Sequence, residues 1–224
     1  MKRIHIKLIA CVTMLIDHIC FAFFNGNATA HMIRLTVGRI AFPLFAFMIV
    51  RGFLYTRSRL KYALSMLVTA VISEFIYDRL FYRRRIYWAN QNIIFLLVLC
   101  LGMLCLLEMI GKKELDLTFT LILQFAAIAG FCAAAYFLKL DYSIWGVMVI
   151  AVFYFTRNER FWFSCGAAVI PLALDCNTYG AFLAVIPMIF YKEKGGKLGT
   201  FGKYAFYAFY PGHLALLLAL KHLV

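Results

Sequence analysis

Nine apolar runs, at roughly 8–24, 40–55, 62–77, 93–110, 118–138, 143–155, 161–174, 180–191 and 204–221, are separated only by short stretches of charge, Gly, Asn or Pro. Runs near 17–20 residues are long enough to cross a hydrocarbon core as helices, and no stretch between them is long enough for a water-soluble domain. Only 15% of the 224 residues are charged, and the mean hydropathy of +0.86 leaves no other solvent for this surface than lipid. The expected fold is all-α: a polytopic integral-membrane helical bundle of about nine spans, eight to ten, forming one domain over residues 1–224. The first run ends without a small-residue cleavage motif, so it reads as an anchor that stays in place.

Orientation follows from the basic loops. Lys2, Arg3 and Lys7, then Arg57, Arg59 and Lys61, then Lys112 and Lys113, Arg157 and Arg160, and Lys192, Lys194, Lys197 and Lys203 alternate with the runs. They place the N-terminus in the cytoplasm, with a plasma (inner) membrane location for a bacterial chain. Arg79 with Arg83, Arg84 and Arg85 falls on the other side, in a 78–92 loop rich in aromatic residues that reads as an interfacial segment. The net charge of +13 is thereby accounted for by the bilayer, and nucleic acid is excluded as a partner. Seven cysteines without a C-x-x-C or a His/Cys cluster give no metal site, and the 194–199 Gly-rich stretch lacks phosphate-loop spacing.

Ionisable groups within spans cost about 2.5–3.5 kcal/mol each, so each needs a partner or a task. The inventory is short: Asp17 and His18 in the first run, Arg39 opening the second, Glu74 late in the third, Asp141 before the sixth, and His213 after Tyr210-Pro211-Gly212 in the last. With the N-terminus inside, all of them fall at mid-membrane or toward the outer side, the depth that an outward-opening cavity requires. Arg39 and Arg51 are 12 residues apart, about 18 Å along a helix, so they serve different depths. Asp17 and His18 lie about 100° apart around one helix, so Asp17 is expected to face Arg39 while His18 faces the cavity. Two histidines and several carboxylates supply general acid and base groups, and no serine or cysteine stands in a nucleophile motif. Tyr207 and Tyr210, in the aromatic run 204–210, form either packing against lipid or a surface on which an adenine or sugar stacks.

Several of these residues stand in blocks that resemble the TraX family: Asp17-His18, Gly38-Arg39-Ile40-Ala41-Phe42-Pro43-Leu44-Phe45-Ala46-Phe47, Gly52-Phe53, Ser73-Glu74, Asn92, Asp141-Tyr142 with Gly146, and Phe206 to His213. The likeness runs from the first span to the last. That family is named for a protein that acetylates the N-terminus of pilin, and it is similar to transmembrane acyltransferases that use cytoplasmic acetyl-CoA. The chain departs from the pattern at Arg51, where an acidic residue is common, and after Glu74, where a proline is expected.

The resemblance implies an acyltransferase that takes its acyl group from acetyl-CoA or a related acyl-CoA. The acceptor would be an amine or hydroxyl on the outer side: a peptide N-terminus, an amino sugar or a glycan. His18 or His213 would be the base, Glu74 or Asp141 would orient it, and Arg39 would balance charge or hold the carbonyl oxygen. Arg51, Arg57, Arg59 and Lys61 would meet the CoA phosphates at an inner mouth. The rivals are a small-solute transporter or lipid flippase and a non-catalytic membrane scaffold.

Overall fold

The computed structural model describes residues 1–159, 161–174, 179–191 and 200–223. Arg160, Lys192, Lys194, Lys197 and the 194–199 stretch lie outside the described residues, as does the side chain of Lys203. The described chain is helical, in the order α1 (Arg3–Phe23), α2 (Ala28–Thr36), a 3-10 turn (Gly38–Ile40), α3 (Ala41–Tyr55), α4 (Arg59–Tyr77), α5 (Ile93–Gly111), α6 (Leu117–Phe137), α7 (Ser143–Phe155), α8 (Phe161–Leu174), a second 3-10 segment (Tyr179–Ala184), α9 (Val185–Ile189) and α10 (Thr200–Leu223). A π-helical turn, Asp78–Tyr82, prolongs α4.

The expected helical membrane bundle is what forms. Among the described residues, five segments are long and apolar enough to cross a bilayer: Arg3–Phe23, Ala28–Tyr55, Arg59–Tyr82, Ile93–Gly111 and Leu117–Phe137. The run at 180–191 is a 3-10 segment followed by a five-residue helix rather than one full span. Polar residues between the runs set the helix starts by accepting hydrogen bonds from orphan N–H groups. Asn27 accepts from Ala30 N at 3.1 Å, Asn92 from Ile94 N at 3.0 Å and Asp116 from Thr118 N at 2.9 Å.

The ends of the spanning segments fall into two sets. At one end the Met1 amino group donates to the Phe190 carbonyl, and Arg59, at the start of α4, pairs with Glu108 near the end of α5. At the other end Lys221 Nζ donates to the Leu80 carbonyl at 2.8 Å, and the Gln91 carbonyl accepts from Asp141 N at 3.2 Å. These are called the Met1 end and the Lys221 end. Helix α3 is the central element, packed between α1, α5 and α7, with Leu44 and Phe53 fully buried. Helix α6 lies at the periphery, with most of its surface left for lipid.

At the Lys221 end, the 78–92 loop is tied to the bundle by Asn90, whose Nδ2 donates to the hydroxyls of Tyr77 and Tyr82 at 3.1 and 2.8 Å. Arg83, Arg84 and Arg85 remain exposed. A second tie is Asn92, fully buried, which bridges α4 and α5. Its backbone N–H and Nδ2 donate to Glu74 Oε2 at 3.0 and 2.5 Å, and Nδ2 also donates to the Ala70 carbonyl at 2.9 Å. Removing one partner of a buried, charge-assisted bond leaves the other desolvated. Asn92→Ala is therefore expected to destabilise the detergent-solubilised protein by about 2 kcal/mol or more, read as a lowered midpoint of thermal unfolding.

Candidate functional site

At the Lys221 end a cavity of about 200 Å³ opens between α1, α2, α3, the end of α4 and the turn before α7. Its wall carries four charged residues, Asp17, Arg34, Arg39 and Asp141. The expected Asp17–Arg39 pair is replaced by another: Asp17 Oδ1 lies 3.5 Å from Arg34 Nε. Helix α2 packs along α1 and carries the Arg34 guanidinium over Phe21, 4.1 Å from the ring centroid. Gly38 makes this possible, because a Cβ there would overlap the Asp17 carboxylate.

Arg39 turns instead toward the α6–α7 turn, where its Nη1 donates to the Tyr142 hydroxyl at 3.1 Å. The Tyr142 ring stacks on Phe42 at 4.1 Å. Lys139, Tyr142 and Ser143 all have positive φ, at 55°, 58° and 41°. Three non-glycine residues in the left-handed region within five positions mark a turn whose strain is met by its surroundings. The turn brings Asp141 into the cavity wall, with Oδ1 accepting from Tyr142 N at 3.0 Å. Burial pushes the Asp141 carboxyl up to about 6, with the nearby Arg39 charge opposing.

His18 and His213 meet. His18 Nδ1 and His213 Nε2 are 2.8 Å apart, and His213 Nδ1 lies 2.8 Å from the Phe209 carbonyl one turn back on α10. A carbonyl only accepts, so His213 Nδ1 carries the hydrogen and Nε2 of the neutral ring is an acceptor. His18 Nδ1 must then donate, which leaves His18 Nε2 with the lone pair. Only His18 lines the cavity; His213 is 6% exposed and stands behind it. The two histidines are therefore not equivalent: His18 offers a base, and His213 fixes its tautomer and ring plane.

A second cavity, of about 610 Å³, runs from the Met1 end to the middle of the bundle. Its walls are the Met1-end halves of α1, α3, α4 and α10 together with the first turns of α5. The two cavities share four residues, Met14, Phe45, Ile93 and Tyr210, which form the partition between them. Met14 and His18 are one helical turn apart, so the base stands directly beyond the partition.

Several expected positions change. Tyr207 and Tyr210 line the large cavity, but none of Arg51, Arg57, Arg59 and Lys61 does. Arg51 lies between the rings of Tyr55 and Tyr191, at 5.3 and 5.9 Å, and Arg59 is held by Glu108 with its guanidinium over Phe53 at 4.1 Å. Arg57 and Lys61 are exposed. The cations that line the cavity are Arg3 and Lys7, from the first turns of α1. Glu74 is in neither cavity wall; it is bound to Asn92 and orients neither histidine. Asp141 shares the cavity with His18 but bonds to its own turn. Among the described residues, no group of three or more His, Cys, Asp or Glu side chains is placed to hold a metal ion.

The chain is similar to known proteins along its whole length. A family model described as TraX protein matches residues 2–221. A protein described as probable fimbrial assembly protein FimC, serogroup H1, from Dichelobacter nodosus is 29% identical over 239 residues, covering 96% of this chain and 94% of that protein. No solved structure matches.

The raised Asp141 carboxyl has a consequence for stability. An unfolded aspartate titrates near ~3.9, so the folded chain holds this proton more tightly, and stability falls as pH rises from about 4 to about 6. Asp141→Asn is expected to remove that decline. Thermal unfolding in detergent across pH 4 to 7 measures it, and an unchanged slope would show that Asp141 does not titrate there.

Proposed function

The chain belongs to the TraX family, and on that premise we propose that it is an integral-membrane acyltransferase. It moves an acetyl group from cytoplasmic acetyl-CoA to an amine or hydroxyl of an acceptor at the outer face of the plasma membrane. The observation that carries this reading is the pair of cavities entered from opposite ends, which share one partition with a histidine base beside it. A donor and an acceptor from different compartments need two such chambers and one meeting point.

The residues take roles accordingly. Arg3 and Lys7 meet the CoA phosphates at the Met1 end, Tyr207 flanks the pantetheine arm, and the thioester reaches the partition. The acceptor enters from the Lys221 end among Asp17, Arg34, Arg39 and Asp141. His18 Nε2 takes the proton from the acceptor as it attacks the thioester carbonyl, and His213 steadies the ring as it becomes cationic. Transfer is direct, within a ternary complex, since no step requires an acylated histidine. The fimbrial description of the relative suits an exported peptide N-terminus as acceptor, with amino sugars or glycans as the other candidates. Two cavities sharing a partition would also serve a transporter, but a histidine pair that leaves one nitrogen of His18, a residue of the cavity wall, outside the pair favours chemistry over passage.

Acetyl-CoA and CoA, but not ATP, are expected to raise the unfolding temperature of the purified protein. The double variant Arg3→Ala, Lys7→Ala should weaken that binding about tenfold or more, the loss of about 1.4 kcal/mol. No stabilisation of the unaltered protein at saturating acetyl-CoA would contradict the donor assignment. His18→Ala should keep the stabilisation and lose transfer by about 10²-fold or more; full transfer in that variant would remove His18 as the base.

A further inference from the structure

The partition between the cavities is apolar except at one point. Met14, Phe45 and Ile93 offer no side-chain hydrogen bond, and of the four shared residues Tyr210 alone carries a hydroxyl. Tyr210 is 6% exposed as a whole residue, and among the described residues no hydrogen bond engages its hydroxyl, which is left free for a bound group. Other hydroxyls in these walls are engaged or displaced from the junction. Tyr77 and Tyr82 accept from Asn90, Tyr142 accepts from Arg39, and Thr69 donates to the carbonyl of Ser65. Tyr62 and Tyr207 line the large cavity alone. Tyr210 is also fixed relative to the base, its ring edge-on to His18 at 6.2 Å and to His213 at 5.4 Å between centroids.

We infer that the Tyr210 hydroxyl, presented at the partition beside the His18–His213 pair, donates a hydrogen bond to the acyl carbonyl oxygen of the bound thioester and holds the oxyanion that forms there. The inference rests on the acyltransferase reading above. As the acceptor nitrogen or oxygen bonds to the carbonyl carbon, the π pair of the C=O bond moves onto its oxygen, which Tyr210 stabilises. His18 Nε2 takes the acceptor's proton. The oxygen lone pair then re-forms the carbonyl, the C–S bond breaks, and the CoA thiolate leaves and takes the proton back from His18. A negative charge developing in an apolar partition needs a donor already in place, and one such donor is worth about 10²–10³-fold in rate.

Tyr210→Phe keeps the ring and removes only this donor. The test is isotope-edited infrared spectroscopy of acetyl-CoA labelled with ¹³C at the carbonyl, bound to the detergent-solubilised full chain. The unaltered protein is expected to shift the carbonyl stretch to lower wavenumber than in free acetyl-CoA, and Tyr210→Phe to lose that shift while keeping thermal stabilisation by acetyl-CoA. With a free-amine peptide or glucosamine as acceptor, kcat should fall about 10²-fold and KM for acetyl-CoA stay within twofold. An equal carbonyl stretch in both proteins, an unchanged kcat, or loss of acetyl-CoA stabilisation in Tyr210→Phe would each overturn the assignment. Failure of the acyltransferase reading is distinct: the unaltered protein would then neither be stabilised by acetyl-CoA nor show a bound carbonyl band.

Discussion

A carboxylate within a membrane helix has to find its counter-charge or be neutralised, because lipid supplies no solvation. Asp17 meets that constraint through Arg34, with Gly38 packed against it and Arg39 near enough for its charge to act. The pairing folds α2 back along α1 and seats the Gly38–Ile40 turn, which starts α3. It also sets the rotation of α1. With Asp17 turned to Arg34, the next residue, about 100° around the helix, turns toward α10, and there His18 meets His213. One electrostatic requirement thus orients the base.

The rest of the bundle brings two chambers to that base. Single faces of α1, α3 and α10 line both: α1 from Arg3 and Lys7 through Met14 to His18, α3 from Gly52 through Phe45 to Phe42, and α10 from Phe206 to Tyr210. Each helix contributes charge or hydroxyl at one depth and apolar bulk at another. The Asn92 bridge to Glu74 and Ala70 holds α5 against α4, so that Ile93, the next residue, takes its place in the partition. Strain in the turn 139–143 is tolerated where it delivers Asp141 and Tyr142 to the chamber at the Lys221 end.

Depth was legible in the sequence; direction around each helix was not. The apolar runs fixed where the helices would form, and the alternating basic loops placed Asp17, His18, Arg39, Asp141 and His213 near one level, where the structure gathers them. Which of them touch depends on helix rotation, and spans apolar all round carry no periodicity from which to read it. For that reason the sequence does not distinguish Arg34 from Arg39 as the partner of Asp17, nor order the two histidines. Glu74 lay at the right depth, but its side chain is taken by Asn92, whose role as a helix cap and bridge depends on a partner 18 positions away. A cluster of cations such as Arg51, Arg57, Arg59 and Lys61 suits a polyphosphate on sequence grounds, whereas the large cavity is lined by Arg3 and Lys7 from the first turns of α1. Tyr210 stood out only as one of an aromatic run; that it belongs to both walls is a fact of packing.

The central claim is that an acyl group crosses from one chamber to the other at His18. Its most direct measurement uses proteoliposomes enclosing a free-amine peptide and glucosamine, with acetyl-labelled acetyl-CoA added only on the side of the Met1 end. The account predicts label on an enclosed acceptor while acetyl-CoA itself stays outside, and none with His18→Ala. Label confined to the side of addition, or equal transfer in the presence and absence of His18, would contradict it.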